Sequence, residues 1–140
     1  MTRKDYQAWQ AQMVRSAEKM SNCSRRHVAC ILFADRKDSR YTLAVNGSMI
    51  PKGCERPTEQ GNCGCLHAEI RSAVFYSWKY PVVEAWITCA PCAPCAKALV
   101  MLQDHRQAMT VYYLEDSHPM LEGFKVLDAA GIKHVKYEGT

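Results

Sequence analysis

The chain has 140 residues, 48% of them hydrophobic, with a formal net charge of +4 and an isoelectric point near 8.6. That length and apolar content predict one packed domain over residues 1–140 and exclude an intrinsically disordered chain. No apolar run reaches the ~18 residues of a membrane-spanning helix, and the basicity stays below the isoelectric point above ~9 of a dedicated nucleic-acid domain.

Met1 to Gln10 is charged and has no apolar stretch of the secretory kind, so a cytoplasmic protein is expected. Tyr6 to Met20 predicts an amphipathic helix, with Tyr6, Trp9, Met13, Ala17 and Met20 recurring at three- and four-residue steps. Val28 to Phe33 is a short apolar run of strand formers. Arg36 to Arg40 is a charged turn, and Tyr41 to Val45 a second strand, so the two strands suit a hairpin. Asn46 to Gly64 is rich in Gly and Pro and predicts a loop. Leu66 to Trp78 has helical period, Val82 to Thr88 is a β-branched strand, and Cys92 to Gln103 is again helical. Met109 to Leu114 is a strand. Pro119 to Ala130 is a helix stopped by Gly131, and Ile132 to Tyr137 is a last strand. Strands alternating with helices late in the chain imply right-handed crossovers and parallel pairing. The expected fold class is α/β, a three-layer α/β/α domain around a mixed five-stranded sheet.

Eight cysteines are many for a chain in a reducing compartment, and six of them lie between Cys54 and Cys95. Disulfides are rare there, so clustered cysteines point to metal or redox chemistry. Two segments carry that chemistry: His67-Ala68-Glu69 and Pro91-Cys92-Ala93-Pro94-Cys95. Zinc takes tetrahedral sets of thiolate and imidazole, and a catalytic zinc keeps three protein ligands and an open position. One His plus a Cys-x-x-Cys pair gives three: His67, Cys92 and Cys95. Each segment opens a predicted helix, where the partial positive charge of the helix end favours thiolate over thiol. Glu69 lies two residues past His67, close enough to serve the site without ligating. Zinc lowers the pKa of bound water from about 15.7 toward about 7, and a neighbouring carboxylate is suited to move the protons. Alone, Cys-x-x-Cys also fits a redox pair or half of a structural zinc site. Together the segments form the known signature of hydrolytic nucleobase deaminases, H-x-E with P-C-x-x-C.

From Cys23 onward the chain resembles the zinc-dependent cytidine and deoxycytidylate deaminase superfamily, and its deoxycytidylate branch best. Cys23-Ser24-Arg25-Arg26-His27-Val28-Ala29 is similar to the branch's segment before the first strand, and Asn46-Gly47-Ser48 to its loop after the second. Thr88 to Cys95 with Ala96-Lys97 is similar to its metal loop and helix. Val111-Tyr112-Tyr113 and Ala130-Gly131-Ile132 resemble its C-terminal parallel pair. The resemblance implies a cytidine deaminase-like fold and hydrolysis of deoxycytidine monophosphate (dCMP) to dUMP and ammonia, a step of pyrimidine nucleotide metabolism. The alternative is another cytosine nucleoside, a free base or single-stranded nucleic acid.

The resemblance also implies roles. Asn46 binds the sugar, the Ala68 N–H binds the pyrimidine carbonyl, and the carbonyl of Thr88 or Pro91 accepts from the amine. Arg25 or Arg26 holds the phosphate, as a guanidinium fork suits that group. Lys79 is a further candidate. A second, structural zinc is implied at Cys23, Cys54 and Cys63, with Cys65 as fourth ligand. Cys30 and Cys89, in apolar strands, read as small buried hydrophobes. A homo-oligomer, often a hexamer, and a deoxynucleoside triphosphate effector are also implied. The chain departs from the pattern at Ala29, Val45, Arg71 and Ser117, where the family commonly has Gly, an aromatic, Asn and an aromatic. Arg71 is expected on the solvated face of its helix.

Overall fold

The structure, a computed structural model, describes residues 2–34, 40–47, 65–76, 81–104, 107–117 and 120–139. The elements run α1 (Arg3–Ala17), a 3-10 turn (Glu18–Met20), β1 (Ala29–Phe33), β2 (Tyr41–Val45) and α2 (Ala68–Phe75). They continue with β3 (Glu84–Cys89), α3 (Ala93–Val100), β4 (Thr110–Glu115), α4 (Met120–Ala129) and β5 (Lys133–Lys136). The order of elements is the one expected, and the five strands form one sheet in the order β2-β1-β3-β4-β5. β1 pairs antiparallel with β2 and β3, with Ile31 opposite Leu43 and Trp86. β3–β4 and β4–β5 are parallel, with Trp86 opposite Tyr112 and Tyr112 opposite Val135.

Strand alternation divides the core into two layers. Ala29, Ile31, Phe33 and Trp86 face α1, where Val14 and Ala17 cover them. Cys30, Leu32, Ala85, Ile87 and Val111 face the other way, against Ala68 of α2, Ala96 and Leu99 of α3, and Leu127 of α4. β1 and β3 are buried along their whole length, which is why they read as continuous apolar runs. The three-layer α/β/α arrangement with a mixed sheet is the expected one.

Two details differ from the sequence reading. α1 starts earlier, at Arg3, because Thr2 caps it. The Thr2 hydroxyl accepts from Asp5 N–H, and the Asp5 carboxylate accepts from Thr2 N–H. Its fully buried positions are Gln10, Val14 and Ala17. Met20 lies 73% exposed, because the α-helix stops at Ala17 and the 3-10 turn swings it off the stripe.

The second difference is Glu84, a carboxylate at 0% exposure inside the central strand. It is held by an ion pair with Arg3 and by hydrogen bonds from Gln10 Nε2 (2.9 Å) and Trp86 Nε1 (3.2 Å). Such saturation is what makes a buried carboxylate tolerable. At the other end of the fold, Gly131 adopts φ +72°. That left-handed turn ends α4 and lets Ile132 N–H reach the Leu127 carbonyl (2.9 Å).

Candidate metal centre

The amino end of β1 lies beside the carboxyl end of β3, and the entrances of α2 and α3 open at the metal-ligand cluster. His67 is the N-cap of α2 and Cys92 the N-cap of α3, both with extended backbone. Their carbonyls already accept the first helical hydrogen bonds, from Arg71 (3.0 Å) and Ala96 (2.9 Å). Each cap residue is therefore locked by its helix while its side chain stays available. Cys95 follows in the first turn of α3, fully buried.

His67 Nδ1 lies 3.1 Å from Cys95 Sγ and 3.6 Å from Cys92 Sγ. The three ligand atoms lie within 4.8 Å of one another, the one such group among the described residues. Zinc bonds of about 2.0–2.3 Å separate tetrahedral ligands by about 3.3–3.8 Å. The His67–Cys92 distance lies inside that range and the His67–Cys95 distance just below it, and one imidazole nitrogen with two sulfurs is a donor set that suits zinc.

The electrostatics of the cluster single out one of the three ligands as the ready thiolate. The Cys92 thiol is lowered to about 4, first by a hydrogen bond from Cys95 and also by one from His67. Cys95, the donor in that pair, is raised by the same bond and by burial. His67 is raised, chiefly by its hydrogen bond to Cys92. Cys92 thus offers a thiolate, while the upward shifts of Cys95 and His67 mean that a metal competes with protons for those two ligands.

Glu69 is 4% exposed and interacts with His67, Cys92 and Cys95. Burial raises its carboxyl above the usual carboxylate range. A carboxyl shifted in that direction takes and gives a proton nearer neutral pH than an exposed one. Ala68, between His67 and Glu69, is fully buried at the first position of α2. Its N–H therefore has no partner within the helix.

The remaining expected residues divide. Asn46 is 9% exposed, and its amide clasps the segment before β1. Oδ1 accepts from Ser21 Oγ (2.5 Å) and Val28 N–H (2.9 Å), and Nδ2 donates to the Arg26 carbonyl (2.8 Å). Only one N–H of the amide remains uncommitted in this set. The Thr88 side chain faces α1, its hydroxyl accepting from Ala29 N–H and donating to Glu18, both at 2.9 Å. The Pro91 carbonyl is packed against Gly123 of α4, which covers it there. Arg25 is exposed. Arg26 pairs with Glu115 at 2.8 Å, at the carboxyl end of β4, and its charge also reaches Cys89.

Cys30 and Cys89 are buried, and burial raises both thiols, Cys89 to about 12, so both are neutral. Of the implied second metal site, Cys23 is buried and Cys65 half-buried, while Cys54 and Cys63 lie outside the described residues, as do Lys79 and most of the 46–64 loop. Gly47 joins the two described cysteines' segments. It exchanges two backbone hydrogen bonds with Leu66 (3.1 and 2.8 Å), and a Cβ on it would overlap Asn22.

Arg71 corrects an expectation. It is half-buried rather than on a solvated face, and its Nη1 donates to the Val45 carbonyl (3.0 Å). Its guanidinium thus reaches across to the last residue of β2, next to Asn46. Sequence reasoning also missed Ser117, whose hydroxyl donates to the Ala90 carbonyl (2.8 Å). Neither role has a sequence signal, since both depend on which backbone lies opposite.

Comparison with known proteins agrees with this geometry. The profile of the cytidine and deoxycytidylate deaminase zinc-binding region matches residues 3–112. No curated protein matches the chain. Among solved structures, the dCMP deaminase of cyanophage S-TIM5 in complex with dCMP and dUMP superposes with a TM-score of 0.74 at 22% identity. The match covers 98% of this chain and 99% of the phage protein. Acinetobacter baumannii RibD has a TM-score of 0.62 at 22% identity, over 96% of this chain and 35% of RibD. The Aspergillus oryzae Rib2 deaminase in complex with DARIPP has a TM-score of 0.61 at 19% identity, over 94% and 85%. At these identities the likeness is one of fold.

Proposed function

Because this chain belongs to the cytidine and deoxycytidylate deaminase zinc-binding family, we propose that it hydrolyses dCMP to dUMP and ammonia, as one deaminase domain over 1–140. The observation that carries the reading is the convergence of His67, Cys92 and Cys95 beside the buried carboxyl of Glu69. Bound zinc supplies Lewis acidity and an activated water. The chain's own residues do the rest. The Ala68 N–H orients the ring through the pyrimidine carbonyl. A Glu69 carboxylate oxygen takes the proton of the attacking water and delivers it to N3 of the ring. It then carries the second proton to the departing amine, which leaves as ammonia as the C4–N bond breaks. Of the two carbonyls implied as acceptors from the amine, Pro91 is packed against α4, which leaves the role to Thr88. Asn46 faces the sugar with its last N–H, and Arg25 or Arg26 receives the phosphate.

The same reading places a second, structural zinc on Cys23, Cys54, Cys63 and Cys65. Its support is the Gly47 junction, which ties the Asn22–Cys23 and Cys65–Leu66 segments together. The thiolate ligands suit the cytoplasm. No helix among the described residues is long and apolar enough to cross a membrane. A homo-oligomer, and feedback by a deoxynucleoside triphosphate, complete the proposal, and sedimentation with and without the triphosphate tests both.

A second reading is a different amino-substituted ring, favoured by Arg71 and Ser117, which depart from the family pattern close to the site. Editing of single-stranded nucleic acid needs stacking aromatics; of the candidates Trp78, Tyr80 and Trp86, Trp86 is fully buried in the core and the other two lie outside the described residues. Ammonia release decides among these, with dCMP, deoxycytidine, cytosine, DARIPP and a cytosine oligonucleotide as substrates and zinc counted per chain. The proposal expects turnover of dCMP, loss of turnover without the phosphate, and two zincs. Turnover of DARIPP or the oligonucleotide with none of dCMP would refute it, and one zinc would remove the structural site.

A further inference from the structure

Helix α4 contains a glycine, Gly123, in its first turns. Glycine inside a helix costs about 1 kcal/mol relative to alanine, so its presence asks for a packing reason. The reason is the loop between β3 and α3. A Cβ on Gly123 would overlap the Pro91 carbonyl oxygen and would lie 2.9 Å from the Pro91 carbonyl carbon and 3.3 Å from that of Cys92. All three atoms are backbone, so no flexible side chain relieves the overlap. Two further groups of the same β4–α4 unit hold this loop. The Ala90 N–H donates to the Glu115 carbonyl (2.9 Å), and the Ser117 hydroxyl donates to the Ala90 carbonyl (2.8 Å). Three successive residues, Ala90, Pro91 and Cys92, are therefore gripped by a unit that contributes no metal ligand.

We propose that Ser117 and Gly123 are positioning residues that set where Cys92 presents its sulfur to the metal. The proposal rests on the zinc reading above. Clearing the overlap moves the loop by about an ångström, whereas zinc–ligand distances hold within about 0.2 Å. A displacement of that size does not leave the ligand geometry intact. Ser117 stands where the family pattern has an aromatic, and here its hydroxyl takes up the Ala90 carbonyl.

The test compares the parent, Gly123→Ala and Ser117→Ala. Two readouts are used: the rate of zinc transfer to an excess of a chromogenic chelator, and the thiolate-to-cobalt absorption band of the Co²⁺-substituted proteins. Gly123→Ala releases zinc at least ~10-fold faster and shifts the cobalt band; Ser117→Ala does both to a smaller degree. General destabilisation lowers the melting temperature and leaves the cobalt band unmoved. Folded variants with the parent's release rate and cobalt band overturn the proposal. If Gly123→Ala does not fold, Ser117→Ala decides alone, faster release supporting the proposal and parental release overturning it. A parent that binds no zinc would overturn the reading of the site itself.

Discussion

Replacing Asn46 by alanine separates the architectural work of this residue from any work on substrate. The amide accepts from Ser21 Oγ and Val28 N–H and donates to the Arg26 carbonyl. Ser21 keeps a second acceptor, the Asn46 main-chain carbonyl at 2.9 Å, so it is not orphaned. Arg26 is exposed, so water replaces the lost donor there. Val28 is 8% exposed, and its N–H loses its acceptor without water to replace it. An unsatisfied buried group costs about 1–3 kcal/mol, and each hydrogen bond lost to water about 0.5–1. Together these come to about 1.5–4 kcal/mol, a large share of the about 5–15 kcal/mol of a typical domain. With a urea dependence of about 1–3 kcal/mol/M, the unfolding midpoint falls by roughly 0.5–4 M. Urea titration followed by circular dichroism measures it. A midpoint within about 0.2 M of the parent would refute the reasoning and return Asn46 to a purely substrate-facing role.

Other consequences follow from single contacts. Trp86 is fully buried and stacks on Tyr112 at 4.5 Å, so Trp86→Ala costs about 3–5 kcal/mol, read as a lowered melting temperature. Arg71→Met keeps the stem and removes the donor to the Val45 carbonyl. It lowers stability by about 1–2 kcal/mol, which urea titration detects. The Glu115 carboxyl is held below its usual range, first by the hydrogen bond from Arg15 and then by Arg26. A lowered carboxyl contributes stability above its unfolded pKa and loses it as pH falls through the folded value. Glu115 is 42% exposed, so Glu115→Gln costs only about 0.5 kcal/mol near neutral pH, and that cost shrinks as acid protonates the folded carboxyl; stability curves at neutral and acid pH check this.

The strand runs were legible because β1 and β3 are buried on both faces, which leaves only Glu84 and Thr88 to break the apolar pattern. Glu84 itself was not legible, since its tolerance depends on Arg3 and Gln10, which are distant in sequence. Helix ends were read less well. Thr2 and Asp5 carry a capping-box signal that the apolar stripe overshadowed, and α2 stops at Phe75 rather than Trp78. At the site, His67, Cys92 and Cys95 were legible because ligand chemistry restricts residue type and spacing. The contacts around them were not. Arg71, Ser117 and Gly123 act on backbone groups, and nothing in a backbone atom's own sequence position names its partner.

The central claim is that Glu69 moves protons at a zinc held by His67, Cys92 and Cys95. The most direct measurement is ammonia release from dCMP by Glu69→Ala protein whose zinc content matches the parent's. General acid–base catalysis is worth about 100- to 10,000-fold, so the rate falls by at least ~100-fold with zinc retained. Release at the parental rate would contradict the account.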